Sequence, residues 1–427
     1  MVSLSEKRIK VQNVADYVGK EVCICGWLAD RRVVGHLMFL VVEDSSGKVQ
    51  VTIKKNENRE LFNYALKIPK QSAIKVIGYV NRYEDTLEVI PTRVYVLSPA
   101  IHPLPLDPTG RVPASLSVLI QNRPLALRIP RIRSNFILRS LVKELIREFF
   151  RERGYIEVDT PKIILAGAEG GANLFEVKYF DKVAYLAQSP QLYKEQLTMA
   201  FDGVFEIAQY FRAERFHTKR HLTEFTSVDL EVSYANYIDV MDILEELIKY
   251  ILVEVRKRGS EIFKILNYAP PTPPTKIPRI TYEEAIKTIR ELGGDIKWGM
   301  DIDGANLHKL AKVYNGFYFI IDWPWETKPF YIMRKNGLSE SFDLMYGDLE
   351  LASGGTREHR YQELVKNILD KGLKVESFEH HIKFYKYGLP PHSGFGLGLD
   401  RLMLILTGCN NIREVVLYPR DPETLTP

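Results

Sequence analysis

Only three cysteines, Cys23, Cys25 and Cys409, occur in 427 residues, with no C-x-x-C pair and no histidine pattern beside them. Neither a disulfide framework nor a structural zinc site is therefore indicated, and small buried hydrophobes is the reading that remains. No apolar run approaches the roughly 20 residues that a membrane helix needs. The start, MVSLSEKRIKV, has no apolar stretch of the signal-peptide kind. These absences point to the cytoplasm. Repeats and low-complexity tracts of useful length are missing as well. Charge is not one-sided: Lys+Arg 58 against Asp+Glu 54 gives net +4, which permits a nucleic-acid partner without requiring one. What is present is 45% hydrophobic and 11% aromatic content, enough for a full core in about two or three domains.

From Glu21 to about Ser98 short alternating runs follow one another: EVCICGWLAD, LMFLVVED, KVQVTI, SAIKVIGYV and TLEVIPTRVYVL. Asp44-Ser45-Ser46-Gly47 reads as a hairpin between two of them. Five strands in so short a span suggest a small closed barrel such as the OB-fold, whose strand face and loops bind oligonucleotides; an ordinary β-domain is the alternative. Pro103, Pro105, Pro108, Pro113, Pro124 and Pro130 then crowd together, which predicts a linker or hinge rather than a regular element. This places one domain over 1–103, a hinge over 104–131 and a second domain over 132–427. In the second, Ile137, Leu138, Leu141, Val142, Leu145, Ile146 and Phe149 recur at helical spacing, with Ser134 as candidate N-cap and Gly154 as the stop. Another helical stretch begins near 238, and after a break at Pro270, Pro271, Pro273, Pro274 and Pro278 a capping box at Thr281 and Glu284 opens a third. The span 233–320 reads as a peripheral helical insertion.

Four segments carry chemistry. Phe211-Arg212-Ala213-Glu214 and Lys219-Arg220-His221-Leu222-Thr223-Glu224-Phe225 flank a short polar loop. An Arg beside a Glu there suits a nucleotide, the cation on phosphate and the acid on the adenine amino group; a solvated charged hairpin is the alternative. In Ser341-Phe342-Asp343-Leu344-Met345-Tyr346-Gly347-Asp348-Leu349-Glu350 a two-residue turn at Tyr346-Gly347 would set Asp343 opposite Glu350. A divalent cation would relieve their repulsion, and oxygen-only ligation with few protein groups suits Mg²⁺ shared with phosphates; two water-screened acids is the alternative. Ser393-Gly394-Phe395-Gly396-Leu397-Gly398-Leu399-Asp400-Arg401 bares one strand face and delivers Arg401 at a helix start. It fits neither the Walker nor the Rossmann loop and is weak alone. The fourth segment, Gly154-Tyr155-Ile156-Glu157-Val158-Asp159-Thr160-Pro161, follows the long helix.

Taken in order, these segments resemble the three signature motifs of class II aminoacyl-tRNA synthetases, and the resemblance covers essentially the whole chain. It implies an α/β (α+β) architecture: an N-terminal OB-fold β-barrel for the anticodon, then an antiparallel sheet flanked by helices. A barrel followed by a hinge marks the subgroup for aspartate, asparagine and lysine. Within it the chain is similar to the aspartyl members through Gln188-Ser189-Pro190-Gln191-Leu192-Tyr193-Lys194, the Asp229 and Glu231 pair, Pro390-Pro391-His392 and the ending Tyr418-Pro419-Arg420-Asp421. Without the bacterial insertion or the eukaryotic basic extension, the archaeal type fits best.

That resemblance implies ATP and aspartate as substrates, Mg²⁺, tRNA(Asp) as partner, and a homodimer. Arg212 and Arg401 would be catalytic. ATP would meet Arg212, Glu214, Arg220, His221, Leu222, Phe225, Glu350, Gly398 and Arg401. Aspartate would meet Glu169, Ser189, Gln191, Lys194, Arg212, Asp229, Ser353 and Arg357, with Lys194 and Arg357 on its side-chain carboxylate. Asp343 and Glu350 would hold the metal, and Arg31, Phe39, Gln50 and Glu88 would read anticodon bases. Thr356, where archaeal relatives often carry Gln, departs from the pattern. Ala29, where relatives that also charge the asparagine tRNA carry Trp, leans toward strict specificity.

Overall fold

A computed structural model describes residues 7–165, 173–215 and 218–426. The chain divides into two compact units, Met1–Ile129 and Pro130–Pro427.

The first unit holds β1 (Arg8–Ile9), β2 (Glu21–Val34), β3 (Leu37–Glu43), β4 (Lys48–Lys54), helix α1 (Arg59–Leu66), β5 (Ala73–Tyr83) and β6 (Thr86–Ser98). The sheet order is β1-β2-β3-β4-β6-β5, and β2 also pairs β5, so the sheet closes into a barrel. Period-two alternation explains its two faces. Met38, Leu40, Val42, Val51 and Ile74 are fully buried inside, while Phe39, Val41 and Gln50 are only half-buried. The β3–β4 turn forms as expected, because the Asp44 carboxylate accepts from the Ser46 and Gly47 amides at 2.7 and 3.2 Å. The proline-rich stretch is more regular than expected. It contains α2 (Leu116–Gln121) and α3 (Arg123–Ala126), with Pro124 in the first turn of α3, where a missing N–H costs nothing.

The second unit opens with α4 (Pro130–Glu152). The expected cap at Ser134 is wrong: Pro130 starts the helix and Ser134 is buried within it. Gly154 does stop it, at φ +77°, a conformation that other residues adopt at a cost. There follow β7 (Ile156–Glu157), β8 (Ile163–Ile164), β9 (Glu176–Tyr179), β10 (Lys182–Leu186), α5 (Gln191–Leu197), β11 (Gly203–Phe211), β12 (Glu224–Ser233), α6 (Tyr237–Arg258) and α7 (Ser260–Leu266). Next come β13 (Arg279–Thr281), α8 (Tyr282–Glu291), α9 (Gly304–Leu310), β14 (Phe317–Ile321), β15 (Arg334–Lys335), β16 (Leu338–Ser339), β17 (Ser341–Tyr346) and β18 (Leu349–Thr356). The unit ends with α10 (Tyr361–Asp370), α11 (Glu379–Ile382), β19 (His392–Gly398) and α12 (Leu399–Thr407). The Thr281–Glu284 capping box is present.

Eight strands form one sheet in the order β13-β14-β17-β18-β19-β12-β11-β7, antiparallel except at its two edges. One face is apolar: Phe205, Val228, Leu230, Phe342, Leu344, Phe395 and Leu397 pack with α4, α6 and α12 residues such as Leu145, Leu244, Ile248 and Leu402. The span 233–320 is therefore not peripheral, since α6 lies in that core and β13 and β14 belong to the sheet. The other face is polar. Register pairs Asp343 with Ser353, Ser353 with Gly396, Gly396 with Asp229, and Asp229 with Glu206. One transverse row of side chains thus crosses five strands on the face turned away from the helices.

Candidate active site

A cavity of about 440 Å³ opens over that polar row. Arg212, Glu214, Arg220, His221, Leu222, Phe225, Glu350, Gly398 and Arg401 line it, as do Ser189, Gln191, Asp229, Ser353 and Arg357. Residues expected for a nucleotide and for an amino acid therefore border one space. Lys194 and Asp343 are buried beside it rather than lining it, and Glu169 lies outside the described residues. A larger hollow of about 930 Å³ shares Glu214 with this cavity but none of the sequence-derived arginines.

At the nucleotide end, Arg401 stands in the first turn of α12. Its Nη1 donates to the Glu350 carbonyl at 2.8 Å and its Nη2 lies 3.2 Å from His221 Nε2. Burial, then the Arg401 charge, hold the His221 pKa below its usual value, so the ring is neutral near pH 7. Asp400 ties this helix start to the rest: it accepts from the Thr226 amide at 2.8 Å and from Arg139 of α4 at 2.5 Å. The Arg212 guanidinium lies over the Phe225 ring at 5.3 Å and 4.0 Å from Glu214. Arg220 pairs with Asp348 at 2.8 Å.

The acidic hairpin differs from expectation. Its two-residue turn is Gly347-Asp348, and a bulge at Leu351 shifts the register, so Asp343 faces Ser353 and Glu350 faces Met345. Asp343 and Glu350 are therefore not opposite each other. They still interact: burial chiefly raises the Asp343 pKa, Lys328 draws it back, and the Glu350 charge adds to the rise. Asp343 Oδ2 accepts from Lys328 at 2.7 Å, while its buried Oδ1 has no hydrogen-bond partner. An orphaned carboxylate oxygen that feels a second acid fits a hard cation, which Asp343 and Glu350 could then hold.

At the amino-acid end, α5 delivers Lys194 among strand carboxylates. Its Nζ lies 3.0 Å from Asp229 Oδ1, 3.4 Å from Glu231 Oε2 and 3.1 Å from the Phe395 carbonyl. Arg357 grips Glu231 through Nε and Nη2 at 2.9 and 3.2 Å. Burial opposes the Arg357 charge, but Glu231 outweighs it and the pKa is raised. Asp229 Oδ2 has no hydrogen-bond partner, which leaves an acceptor at the cavity wall for an ammonium group. Gly394 cannot bear a side chain, because a Cβ there would lie 2.1 Å from the Leu230 carbonyl and 2.2 Å from Glu231 Oε2. Gly394 thus makes room for Glu231, while Gly396 and Gly398 of the same strand border the cavity. Gln191 donates to the fully buried Glu195 at 2.5 Å. The departure at Thr356 has a purpose: its hydroxyl accepts from the Tyr237 amide at 2.8 Å, at the start of α6.

Residues 115–422 match the family described as tRNA synthetases class II (D, K and N). The chain belongs to the class II tRNA synthetases. An OB-fold nucleic acid binding domain matches over residues 22–97. The aspartate–tRNA(Asp/Asn) ligase of Methanopyrus kandleri is 45% identical over 416 residues, 96% of each chain. The aspartate–tRNA(Asp) ligase of Pyrococcus furiosus is 43% identical over 423 residues, 96% of this chain and 97% of that one. A solved asparaginyl-tRNA synthetase from Pyrococcus horikoshii, complexed with asparaginyl-adenylate, has TM-score 0.90 at 32% identity over the full length of both chains. No described helix of this synthetase is long and apolar enough to cross a membrane.

On the barrel of this class II synthetase, Phe39, Gln50 and Glu88 share the outer face: Gln50 pairs Glu88 and lies two residues from Thr52, which pairs Phe39. Thr52 and Asn81 hold the Glu88 carboxylate. Arg31 does not join them. A bulge at Ala29 sets it opposite buried Leu40, and its Nη1 donates to the Ala65 and Ile68 carbonyls at 3.1 and 2.7 Å. Exposed Arg32 pairs with Phe39 instead. Sequence reasoning passed over Arg32, Lys328 and the hold of Glu231 on Arg357 and Lys194; only Glu231 had a local signal, standing two residues from Asp229 on the same strand face.

Proposed function

We propose that this class II synthetase joins L-aspartate to tRNA(Asp) through an aspartyl-adenylate, using ATP. The observation that carries the choice of amino acid is the arrangement of Lys194, Glu231 and Arg357. Two buried cations meet two buried acids, Asp229 and Glu231, so the four charges balance and what the cluster still offers is unused N–H donors rather than surplus charge. Arg357 keeps Nη1 outside its bond to Glu231 and borders the cavity. A side-chain carboxylate gains a charge-assisted bond there, whereas an amide would turn its N–H groups toward donors. The names of the relatives, aspartate–tRNA(Asp) and aspartate–tRNA(Asp/Asn) ligases, agree with this choice.

Aspartate would lie with its ammonium toward Asp229, Gln191 and Ser189, Ser353 beside it, and its α-carboxylate toward Arg212. That carboxylate attacks the α-phosphorus of ATP; the new O–P bond forms as the bond to the β-phosphoryl oxygen breaks and pyrophosphate leaves. Arg212 would bridge the attacking oxygen and the α-phosphate, Glu214 would accept from the adenine amino group and Phe225 would stack on the ring. Arg220, neutral His221 and Arg401 would hold the departing phosphates. Asp343 and Glu350 would hold Mg²⁺, which supplies charge neutralisation at the leaving group. The 3′-hydroxyl of the terminal adenosine then attacks the acyl carbon and AMP leaves. Positioning and charge do most of this work.

In this reading residues 1–103 bind the anticodon, 104–131 form a hinge and 132–427 hold the catalytic centre, acting in the cytoplasm as a homodimer that uses the α4 side of the unit. Half-buried Phe39 beside exposed Arg32, with Gln50 and Glu88, offers stacking and edge contacts to unpaired bases. Pyrophosphate exchange with aspartate and asparagine, followed by separate charging of tRNA(Asp) and tRNA(Asn), tests the proposal. Exchange with asparagine alone would overturn it in favour of an asparaginyl enzyme.

A further inference from the structure

Lys328 belongs to no strand or helix of the site, yet its ammonium lies 2.7 Å from Asp343 Oδ2 and lines the cavity. It is not a loose surface lysine. Its side chain is 12% exposed, and its Nζ sits 4.3 Å from the centre of the buried Trp323 ring. The loop that carries it is fixed by Lys371, whose Nζ donates to the Trp325 and Glu326 carbonyls at 3.3 and 2.9 Å. A cation therefore already occupies one oxygen of the acid read as a metal ligand.

Asp343 is 6% exposed, and its other oxygen, Oδ1, is buried without a partner. Glu350 is the second acid, half exposed and 3.7 Å from Arg401. Among the described residues no group of three or more His, Cys, Asp or Glu side chains could hold a metal. A hard divalent ion wants about six oxygens, so two carboxylates leave most positions to other donors. Lys328 beside Asp343 offsets the negative charge of the buried acid, as Arg401 beside Glu350 offsets part of that of the exposed one. At such short range a unit charge weighs heavily against a second cation.

We propose that Lys328 is a resident cation that keeps the Asp343–Glu350 position closed to a free divalent ion, so that the metal enters with the nucleotide's phosphates and not before them. The proposal rests on the reading of these acids as an ATP–metal site. ATP brings both the missing oxygens and enough negative charge to outweigh the lysine. Before it arrives, Lys328 satisfies Asp343, which would otherwise be a buried carboxylate with no compensating charge.

Mn²⁺ is the probe, followed by the electron paramagnetic resonance signal of the free ion, on the full-length protein with and without α,β-methylene-ATP. Wild type is expected to take up Mn²⁺ at least about tenfold more weakly without the nucleotide than with it. Lys328→Met, whose thioether stem keeps the packing on Trp323, should raise nucleotide-free affinity by about tenfold or more, and Lys328→Arg should restore the wild-type weakness. Asp343→Asn in the Lys328→Met background should remove the gain. Equal Mn²⁺ uptake by wild type with and without nucleotide would overturn the proposal without recourse to any variant. So would an unchanged nucleotide-free affinity in Lys328→Met while Asp343→Asn still weakened Mn²⁺–nucleotide binding. If Asp343→Asn and Glu350→Gln left Mn²⁺–nucleotide binding intact, the metal assignment itself would fall.

Discussion

Lys194 and Arg357 share one carboxylate: Glu231 takes both nitrogens of the guanidinium edge and lies 3.4 Å from the ammonium. Both cations are held by acids of the chain itself, so the fold sets their positions, which lowers the reorganisation that binding a ligand requires.

Lys194→Leu removes the cation that offsets Asp229 and leaves two buried acids with only Arg357. Loss of kcat/KM for aspartate should be about 2–5 kcal/mol, as for a broken desolvated charge pair, with asparagine weakened far less. Pyrophosphate exchange with both amino acids, alongside urea unfolding to separate a fall in stability, checks this. Equal damage to both substrates at unchanged stability would refute the role.

Asp343→Ala or Glu350→Ala should abolish adenylate formation while leaving tRNA affinity nearly unchanged, since the two acids are read as holding metal rather than RNA. Exchange assays across a Mg²⁺ range and filter binding of tRNA give the two readouts. Wild-type exchange in either variant would remove the metal role.

Gly394→Ala pushes a methyl group onto the Leu230 carbonyl and the Glu231 carboxylate, each within 2.2 Å of the added atom. Strand β12 is held by neighbours on both sides and yields little, so about 1–3 kcal/mol of stability should be lost, together with aspartate affinity through Glu231. Chemical denaturation and the KM for aspartate are the measurements.

Two adjacent arginines in β2 should separate cleanly. Arg32→Ala should weaken tRNA binding and lower its salt dependence by about one unit of slope, with the fold intact. Arg31→Ala should instead destabilise the barrel by about 2 kcal/mol, through two lost bonds from a charged donor, with a small direct effect on tRNA. The reverse pattern would return Arg31 to the anticodon face.

Glu195 links acidity to stability. Burial would raise its pKa, but hydrogen bonds and charge from His381 and His392 outweigh burial and hold it well below the ordinary carboxylate value. A depressed carboxylate contributes stability that is present above its unfolded pKa and lost as pH falls through its folded one. The stability gap between wild type and Glu195→Gln should therefore be widest above about pH 5 and narrow as the solution is made more acidic. A gap that stayed constant down to pH 3 would show that the charge of Glu195 is not what matters.

The barrel was legible because its strands alternate cleanly, and the residues that line one end of the cavity because they cluster in short segments around one loop and one helix start. What stayed hidden turns on two single-residue bulges. Without the one at Ala29, Arg31 would face Phe39; without the one at Leu351 and with the turn one residue earlier, Asp343 would face Glu350. A bulge is a property of two strands together and leaves little trace in either alone. The burial of Lys194 stayed hidden for a related reason. Its partners Asp229 and Glu231 lie 35 residues or more along the chain, so its burial could not be counted from α5. The long helix 237–258 looked peripheral because its apolar stripe says that it is buried, not against what.

Arg139 joins α4 to Asp400, the residue next to Arg401, and the same helix turns Ile137 outward, 48% exposed. If a second copy of the chain covers that outward side, as proposed, the grip on ATP and the state of assembly become one equilibrium. Diluting the enzyme below its dimer dissociation constant should then lower turnover per subunit, with the loss appearing first as a higher KM for ATP while the KM for aspartate holds, and adding ATP should drive the subunits back together by the same margin.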